Sequence, residues 1–246
     1  MILGVGGDSA QLVVTPGDSR PVLIVTGLVQ EARIAAGPGM TVICSSSDPR
    51  VLRTLLASFD STSIRGVISF GVAGGLDPDL ESGDVVVATD IVCGDRRWMA
   101  GQEFSHQVLS DADLRGRRVI RGSLVGVEKV IAARAGKLEL RASTGASACD
   151  MESHIAADYA AAAGLPFAAI RVISDPATRA LPELATHAIK PNGDIDLRKV
   201  LRGLARNPSV LKSLVSTGRD FNRALRSLRG CRGFLLSGGG LAVAEG

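Results

Sequence analysis

Gly66-Val67-Ile68-Ser69-Phe70, followed at once by Gly71-Val72-Ala73-Gly74-Gly75, is the stretch on which the fold turns. A short unbroken apolar run bounded by glycines reads as a strand buried on both faces, the signature of strands in parallel sheets. Working outward, Pro21 opens a second such run, Val22-Leu23-Ile24-Val25-Thr26-Gly27-Leu28. Gly164-Leu165-Pro166 turns the chain into the buried strand Phe167 to Ile173, which ends at Ser174-Asp175. Met40 to Cys44, Asp84 to Val92, Arg121 to Val127 and Gly145 to Cys149 supply further strands. Helices are expected from Pro49 to Phe59, with Asp48 as the capping carboxylate, from Glu128 to Ala142, and from Met151 to Ala163. Strands alternating with helices across short Gly/Pro turns specify an α/β domain with a largely parallel or mixed sheet. Ligands of such sheets sit at the carboxyl ends of the strands. There the sequence puts Glu31, Gly71 to Gly75, Glu152 and Asp175.

Composition narrows the function classes. The 246 residues are 46% hydrophobic and 22% charged, which excludes a disordered chain, a collagen-like fibre and a small disulfide scaffold. Aromatics at 3% exclude the stacking platforms of single-strand nucleic-acid binders. Cys44, Cys93, Cys149 and Cys231 show no CxxC spacing, and His106, His154 and His187 are scattered, so neither a zinc site nor a disulfide framework is expected. A reducing, cytoplasmic setting follows as the expectation, with no apolar run near the roughly 18–20 residues of a membrane span.

Charge is uneven. Between Lys190 and Arg232 lie eleven Lys/Arg and three Asp, a net of +8, against a whole-chain net of +3. Val200, Leu201, Leu204, Leu211, Leu214, Val215, Phe221, Leu225 and Leu228 recur among these bases at helical spacing. Two basic amphipathic helices separated near Asn207-Pro208 are the expectation. The organisation read from the chain is a loose leader over 1–20, a catalytic domain over 21–190, and a basic helical tail over 191–246 packed on or beside it. Such a tail suits either an anionic lipid surface, at about 1 kcal/mol per basic residue before screening, or packing on the domain and a homo-oligomer interface.

Taken singly, the candidate residues have ordinary readings. The glycine cluster after Phe70 can offer backbone N–H groups to an anion or a ribose, but a tight turn is the commoner use. Asp175-Pro176 is a good helix cap as well as a candidate general acid, since a carboxyl in a dry cleft holds its proton longer. Glu152 at a helix start favours the positive end of the macrodipole. Glu31 reads as a first-turn acid. Two glutamates and an aspartate after three separate strands are together more suggestive than any one of them.

Three ordered blocks carry a resemblance: Gly71-Val72-Ala73-Gly74-Gly75-Leu76 with Ser82-Gly83-Asp84-Val85-Val86-Val87; Cys149-Asp150-Met151-Glu152-Ser153; and Arg171-Val172-Ile173-Ser174-Asp175. From Val22 to Asp175 the chain resembles the superfamily of purine nucleoside phosphorylases and methylthioadenosine/adenosylhomocysteine nucleosidases. Lys190-Pro191-Asn192-Gly193-Asp194 and the basic Leu-rich tail further resemble its hopanoid-biosynthesis-associated branch, whose members are thought to release adenine from adenosylhopane. The resemblance implies a three-layer α/β/α fold with a central mixed sheet, plus the C-terminal helices. It implies N-glycosidic cleavage of a 5′-modified purine nucleoside, lipid-linked in that branch, without metal or organic cofactor, by a homo-oligomer. Scarce aromatics and the lack of a recognised nucleic-acid motif speak against a nucleic-acid partner, although the basic tail would suit one.

The same resemblance assigns roles. Asp175, preceded by Ser174 in the pocket, would protonate or hydrogen-bond N7 of the purine. Glu152 would accept from ribose hydroxyls, with Met151 against the sugar. Glu31 would orient or deprotonate the attacking water, and Gly71, Val72, Ala73 and Gly74 would line the ribose and nucleophile pocket. Val72 replaces a usual hydroxyl and Ser69 a phosphate-binding arginine, so phosphate or water stays open as nucleophile, with Arg33 as the replacement phosphate ligand. The rivals are a nucleosidase for methylthioadenosine and adenosylhomocysteine and, from another class, a non-catalytic nucleoside- or lipid-binding module.

Overall fold

The computed structural model describes residues 18–101, 117–182 and 211–237. In chain order these form β1 (Val22–Thr26), α1 (Val29–Ala35), β2 (Met40–Cys44), α2 (Pro49–Ala57), β3 (Val67–Gly75), β4 (Val85–Cys93), β5 (Arg96–Met99) and β6 (Val119–Gly126). There follow α3 (Arg134–Thr144), β7 (Ala148–Asp150), α4 (Ser153–Ala162), β8 (Phe167–Asp175), α5 (Leu211–Gly230) and α6 (Arg232–Ser237). The strands make one eight-stranded mixed sheet. β1 pairs in parallel with β2 and β3, and β3 with β8. β4 runs antiparallel to β8 and parallel to β6, β6 is parallel to β7, and β7 returns antiparallel to β3. Part of the sheet thus closes on itself as a ring, while β1 and β2 extend from β3 as an open wing.

Both faces are covered, which is why β1, β3 and β8 read as largely apolar strands. On one face Ile24, Ile68, Phe70, Ile170 and Val172 pack with Ile34 and Ala35 of α1 and with Ala224, Leu225 and Leu228 of α5. On the other, Leu23, Val25, Val67 and Ala169 meet Leu52 and Leu56 of α2 and Ile155, Ala156 and Ala160 of α4. The alanines of α4 let that helix lie close against the sheet. The three-layer α/β/α arrangement is the one expected. Each large aliphatic side chain taken out of water here contributes about 1.5–3 kcal/mol.

Several boundaries move for physical reasons. Asp48 caps α2 as expected, its carboxylate accepting from Arg50 N at 2.9 Å. The helix expected from Glu128 begins only at Arg134, and Glu128 is held instead by the side chains of Arg53 and His154. Gly145 ends that helix in the left-handed conformation (φ 69°) rather than starting a strand. β8 runs through Asp175, and from Pro176 to Pro182 the chain makes turns and irregular backbone, so the helix that Asp175 was to cap does not begin there. β5, an edge strand of Arg96-Arg97-Trp98-Met99, carried no apolar signal.

The leader to Gly17, the first of the two expected tail helices and Lys190 to Asp194 lie outside the described residues. The second tail helix is α5, and its apolar side is part of the core: Leu228, with Cys231 just beyond the helix end, is fully buried beside the sheet. Arg219, Arg223, Arg226 and Arg229 stand exposed on its other side.

Candidate active site

The end of β1, the middles of β3 and β8 and the end of β7 meet at one buried pole. Glu31, on the first turn of α1, is 1% exposed. Its Oε2 accepts from the backbone N–H of Gly27 and Leu28, each at 2.8 Å, and so caps its own helix. Its Oε1 accepts from Val72 N of β3, also at 2.8 Å. Opposite stands Arg171 of β8, fully buried. The guanidinium donates to Ser69 Oγ at 2.6 Å, to Ser153 Oγ at 3.1 and 3.2 Å, to Asp150 Oδ1 at 2.9 Å and to the Val72 carbonyl at 3.4 Å. Glu152 Oε2 lies 3.5 Å from it, and Glu152 Oε1 accepts from Ser45 Oγ at 3.3 Å.

Three carboxylates therefore surround one guanidinium. Burial pushes the Glu31 and Glu152 carboxyls above their usual range, Arg171 opposes this at both, and for Glu152 the neighbouring Asp150 and Glu31 push further up. Two glycines make room. A Cβ on Gly71 would stand 2.6 Å from Arg171 Nη1 and 2.7 Å from Glu31 Oε1, and one on Gly27 would stand 2.6 Å from Glu152 Oε1. The glycine run of β3 is thus neither a turn nor an open amide cradle: it is strand, and Val72 N is already taken by Glu31.

A second pole lies farther along β3. Ser174 is an extra residue in β8, so that Asp175 rather than Ser174 sits opposite Gly74. Asp175 Oδ2 accepts from Lys137 Nζ at 2.6 Å, and Oδ1 from Ser174 Oγ at 2.7 Å. Burial raises the Asp175 carboxyl, and the Lys137 ammonium opposes that rise. Gly71 and Gly74 are three residues apart, about 10 Å of backbone at the usual strand rise. Cys149 stands opposite Gly74 at this second pole, its thiol pushed up to about 12 by burial and then by Asp175 and Asp150.

The structure thus gathers Glu31, Glu152 and Gly71 at one pole, and Gly74, Ser174 and Asp175 at the other. Val72 and Met151 are half-buried, and Ala73 is buried with its carbonyl accepting from Ser174 Oγ at 3.2 Å. Arg33 is not brought in. It is exposed, two residues beyond Glu31 on α1 and therefore about 200° around the helix from it. Glu152 does not serve as a helix cap: its side chain makes no cap bond, and Asp150 Oδ1 takes that role, accepting from Glu152 N at 2.9 Å and Ser153 N at 2.6 Å.

Sequence reasoning assigned no role to Arg171, Asp150, Lys137 or Ser45. The signal for Arg171 was a charge inside a strand otherwise apolar, since a buried arginine needs carboxylates around it. Ser45 opens a loop whose next residues, Ser46 and Ser47, have φ of 54° and 58°, unusual for residues other than glycine. Among the described residues no group of His, Cys, Asp and Glu could hold a metal ion, and no helix is long and apolar enough to cross a membrane.

A family model described as the phosphorylase superfamily matches residues 13–207. No curated protein sequence matches the chain. Solved structures do. The 5′-methylthioadenosine/S-adenosylhomocysteine nucleosidase of Neisseria meningitidis, in complex with methylthio-immucillin-A, is 17% identical with a TM-score of 0.65, covering 89% of this chain and 99% of that one. The same kind of nucleosidase from Helicobacter pylori, with butyl-thio-DADMe-Immucillin-A, is 16% identical at a TM-score of 0.62, covering 89% and 97%. The futalosine hydrolase of Helicobacter pylori is 15% identical at 0.61, covering 90% and 97%. At these identities the likeness is one of fold.

Proposed function

The chain belongs to the phosphorylase superfamily, and from that premise we propose that it cleaves the N-glycosidic bond of a 5′-modified purine nucleoside, releasing adenine, with water as nucleophile. The observation that carries this reading is the presence of two buried acid poles on β3, with Glu31, Asp150 and Glu152 around Arg171 beside Gly71 and with Asp175 opposite Gly74. Asp175 would meet the purine and donate to N7, which makes the base a better leaving group. Glu152 would accept from the ribose hydroxyls, with Met151 beside the sugar. The transition state is a ribosyl oxocarbenium cation, and the carboxylates of Glu31, Asp150 and Glu152 around Arg171 provide a fixed negative field for it. Glu31 keeps acceptor capacity beyond its three backbone donors, since an ionised carboxylate has about four lone-pair sites, and would orient the water.

Charge favours water over phosphate. A phosphate anion at the Glu31 pole would face three buried carboxyls, and the Arg171 guanidinium there is already committed to Ser69, Ser153 and Asp150. Arg33, the other candidate ligand, is exposed. No cofactor or metal is required by this chemistry.

For the 5′-substituent we propose a long apolar group, as in adenosylhopane and its place in hopanoid biosynthesis. Its support is the sequence resemblance in the tail and the exposed arginine row of α5, which suits a peripheral contact with anionic lipid. A small 5′-thio nucleoside, of the kind named for the structural neighbours' enzymes, is the second reading. Adenine release from methylthioadenosine and from an adenosine bearing a long apolar 5′-chain, each with and without phosphate, tests both. Release from neither substrate refutes the reaction, and release only with phosphate refutes the water. Co-sedimentation with anionic vesicles, compared with neutral ones, tests the lipid contact.

A further inference from the structure

We propose that Lys137, a fully buried lysine of α3, is a positioning residue for Asp175: it ties down Oδ2, leaves Oδ1 to the base, and stabilises the carboxylate formed when Oδ1 gives up its proton. The proposal deepens the reaction proposed above and rests on it.

The geometry is closed on one side and open on the other. Lys137 Nζ stands 2.6 Å from Asp175 Oδ2, and 3.2, 3.1 and 3.3 Å from the carbonyl oxygens of Asp175, Pro176 and Arg179. All four partners are acceptors, which suits a side chain that only donates. Oδ2 is thereby committed. Among the described residues Oδ1 has only the Ser174 hydroxyl, which carries one proton and has two acceptors within reach, Oδ1 at 2.7 Å and the Ala73 carbonyl at 3.2 Å. When Oδ1 holds a proton, Ser174 donates to Ala73, and Oδ1–H is free to meet the purine.

In the step itself N7 takes the proton from Oδ1, the O–H electron pair stays on the carboxylate, and the glycosidic pair leaves with N9. The carboxylate formed in that step has the Lys137 ammonium beside it. The other charged or titratable groups facing Asp175 are Cys149 from β7 and Asp220 from α5, the latter held by Arg179 of the turn after β8. Lys137 is the cation in direct contact. Burial alone would make Asp175 a reluctant acid, and the lysine offsets that, as a general acid near operating pH requires.

A lysine that also gathers three carbonyls has a plain structural use, so the test needs a readout that shape alone would not move. The kcat/KM for adenine release from methylthioadenosine, or from the long-chain nucleoside, is measured against pH for wild type, Lys137→Met and Lys137→Gln. Without the ammonium Asp175 holds its proton to higher pH, so the alkaline limb should move up by about one unit or more while the plateau kcat/KM falls at least about tenfold. An alkaline limb that stays in place or moves down overturns the proposal. A wild type that releases no base from either substrate overturns the reaction, and with it this role. Folding supplies an independent reading: Lys137→Met combined with Asp175→Asn should melt higher than Lys137→Met alone, since no buried carboxyl is then left unpartnered. A double variant no more stable than the single one overturns the pairing.

Discussion

Replacing Arg171 with methionine is the most discriminating perturbation of the site. The side chain is fully buried, its volume is nearly matched by methionine, and the change removes the cation that faces Asp150, Glu152 and Glu31. Breaking a buried pair from one side costs about 3–5 kcal/mol, because the partner charge stays behind in a low-dielectric site. For a domain of this size each kcal/mol moves the melting temperature by about 2–4 °C, so the loss at pH 8 should be about 6–20 °C. Its pH dependence separates charge from packing. Arg171 holds the Glu31 and Glu152 carboxyls down against burial, and without it both rise further above their unfolded values. An acid whose folded pKa lies above its unfolded one destabilises the fold as pH rises between the two, and costs nothing below both. The gap between wild type and Arg171→Met should therefore shrink on going from pH 8 to pH 5. Differential scanning calorimetry at the two pH values is the assay. A loss under about 3 °C at pH 8, below the low end of that range, or a gap of equal size at both, would refute an electrostatic role for Arg171.

Gly71→Ala should cost about 1–3 kcal/mol through overpacking and abolish base release, because its Cβ falls 2.6 Å from Arg171 Nη1; a urea midpoint within error of wild type refutes the close approach. Leu228→Ala on α5 should cost about 2–5 kcal/mol, as a core residue does, while Arg226→Ala should stay within about 0.5 kcal/mol. Equal, small effects in the two urea titrations would detach α5 from the core. Cys149 and Cys231, both pushed up to about 12 by burial, should resist iodoacetamide at pH 8 in the native protein and react only after unfolding, as read by mass spectrometry of the alkylated peptides.

The sheet was legible because burial on both faces leaves a one-dimensional trace: β1 is an apolar run up to Thr26, β3 and β8 are interrupted only by Ser69 and Arg171 before their carboxyl ends, and a pattern needs no partner to be seen. What the pattern could not carry was closure. β7 is three residues long and joins β3 to β6 from both sides, a fact about pairing that no local propensity encodes. The tail misled in a similar way. Its arginines drew attention to the exposed side of α5, whereas the apolar side, with Ala224 and Leu228 against Ile170 and Phe70, ties that helix to the sheet.

The site shows the same division more sharply. Glu31, Glu152 and Asp175 were found because acids after strands suit ligand chemistry, and resemblance ordered them. Their partners were missed because a buried ion pair is written in two distant places at once. Lys137 sits in the helix sequence Arg134-Ala135-Gly136-Lys137-Leu138, where a lysine reads as solvent-facing, yet it is fully buried and reaches Asp175 across thirty-eight positions of chain. Arg171 could be flagged as a charge in an apolar strand, but not matched to Asp150, since that match depends on the bend at β7 that brings α4 over β8. Each such group is destabilising to the fold alone and tolerable only in company. Acids raised by burial and cations that oppose the rise are therefore one device, and a reading of the acids alone sees half of what sets their proton affinity. That is why Arg171 and Lys137, rather than the carboxylates themselves, are the residues whose replacement separates electrostatic design from ordinary packing.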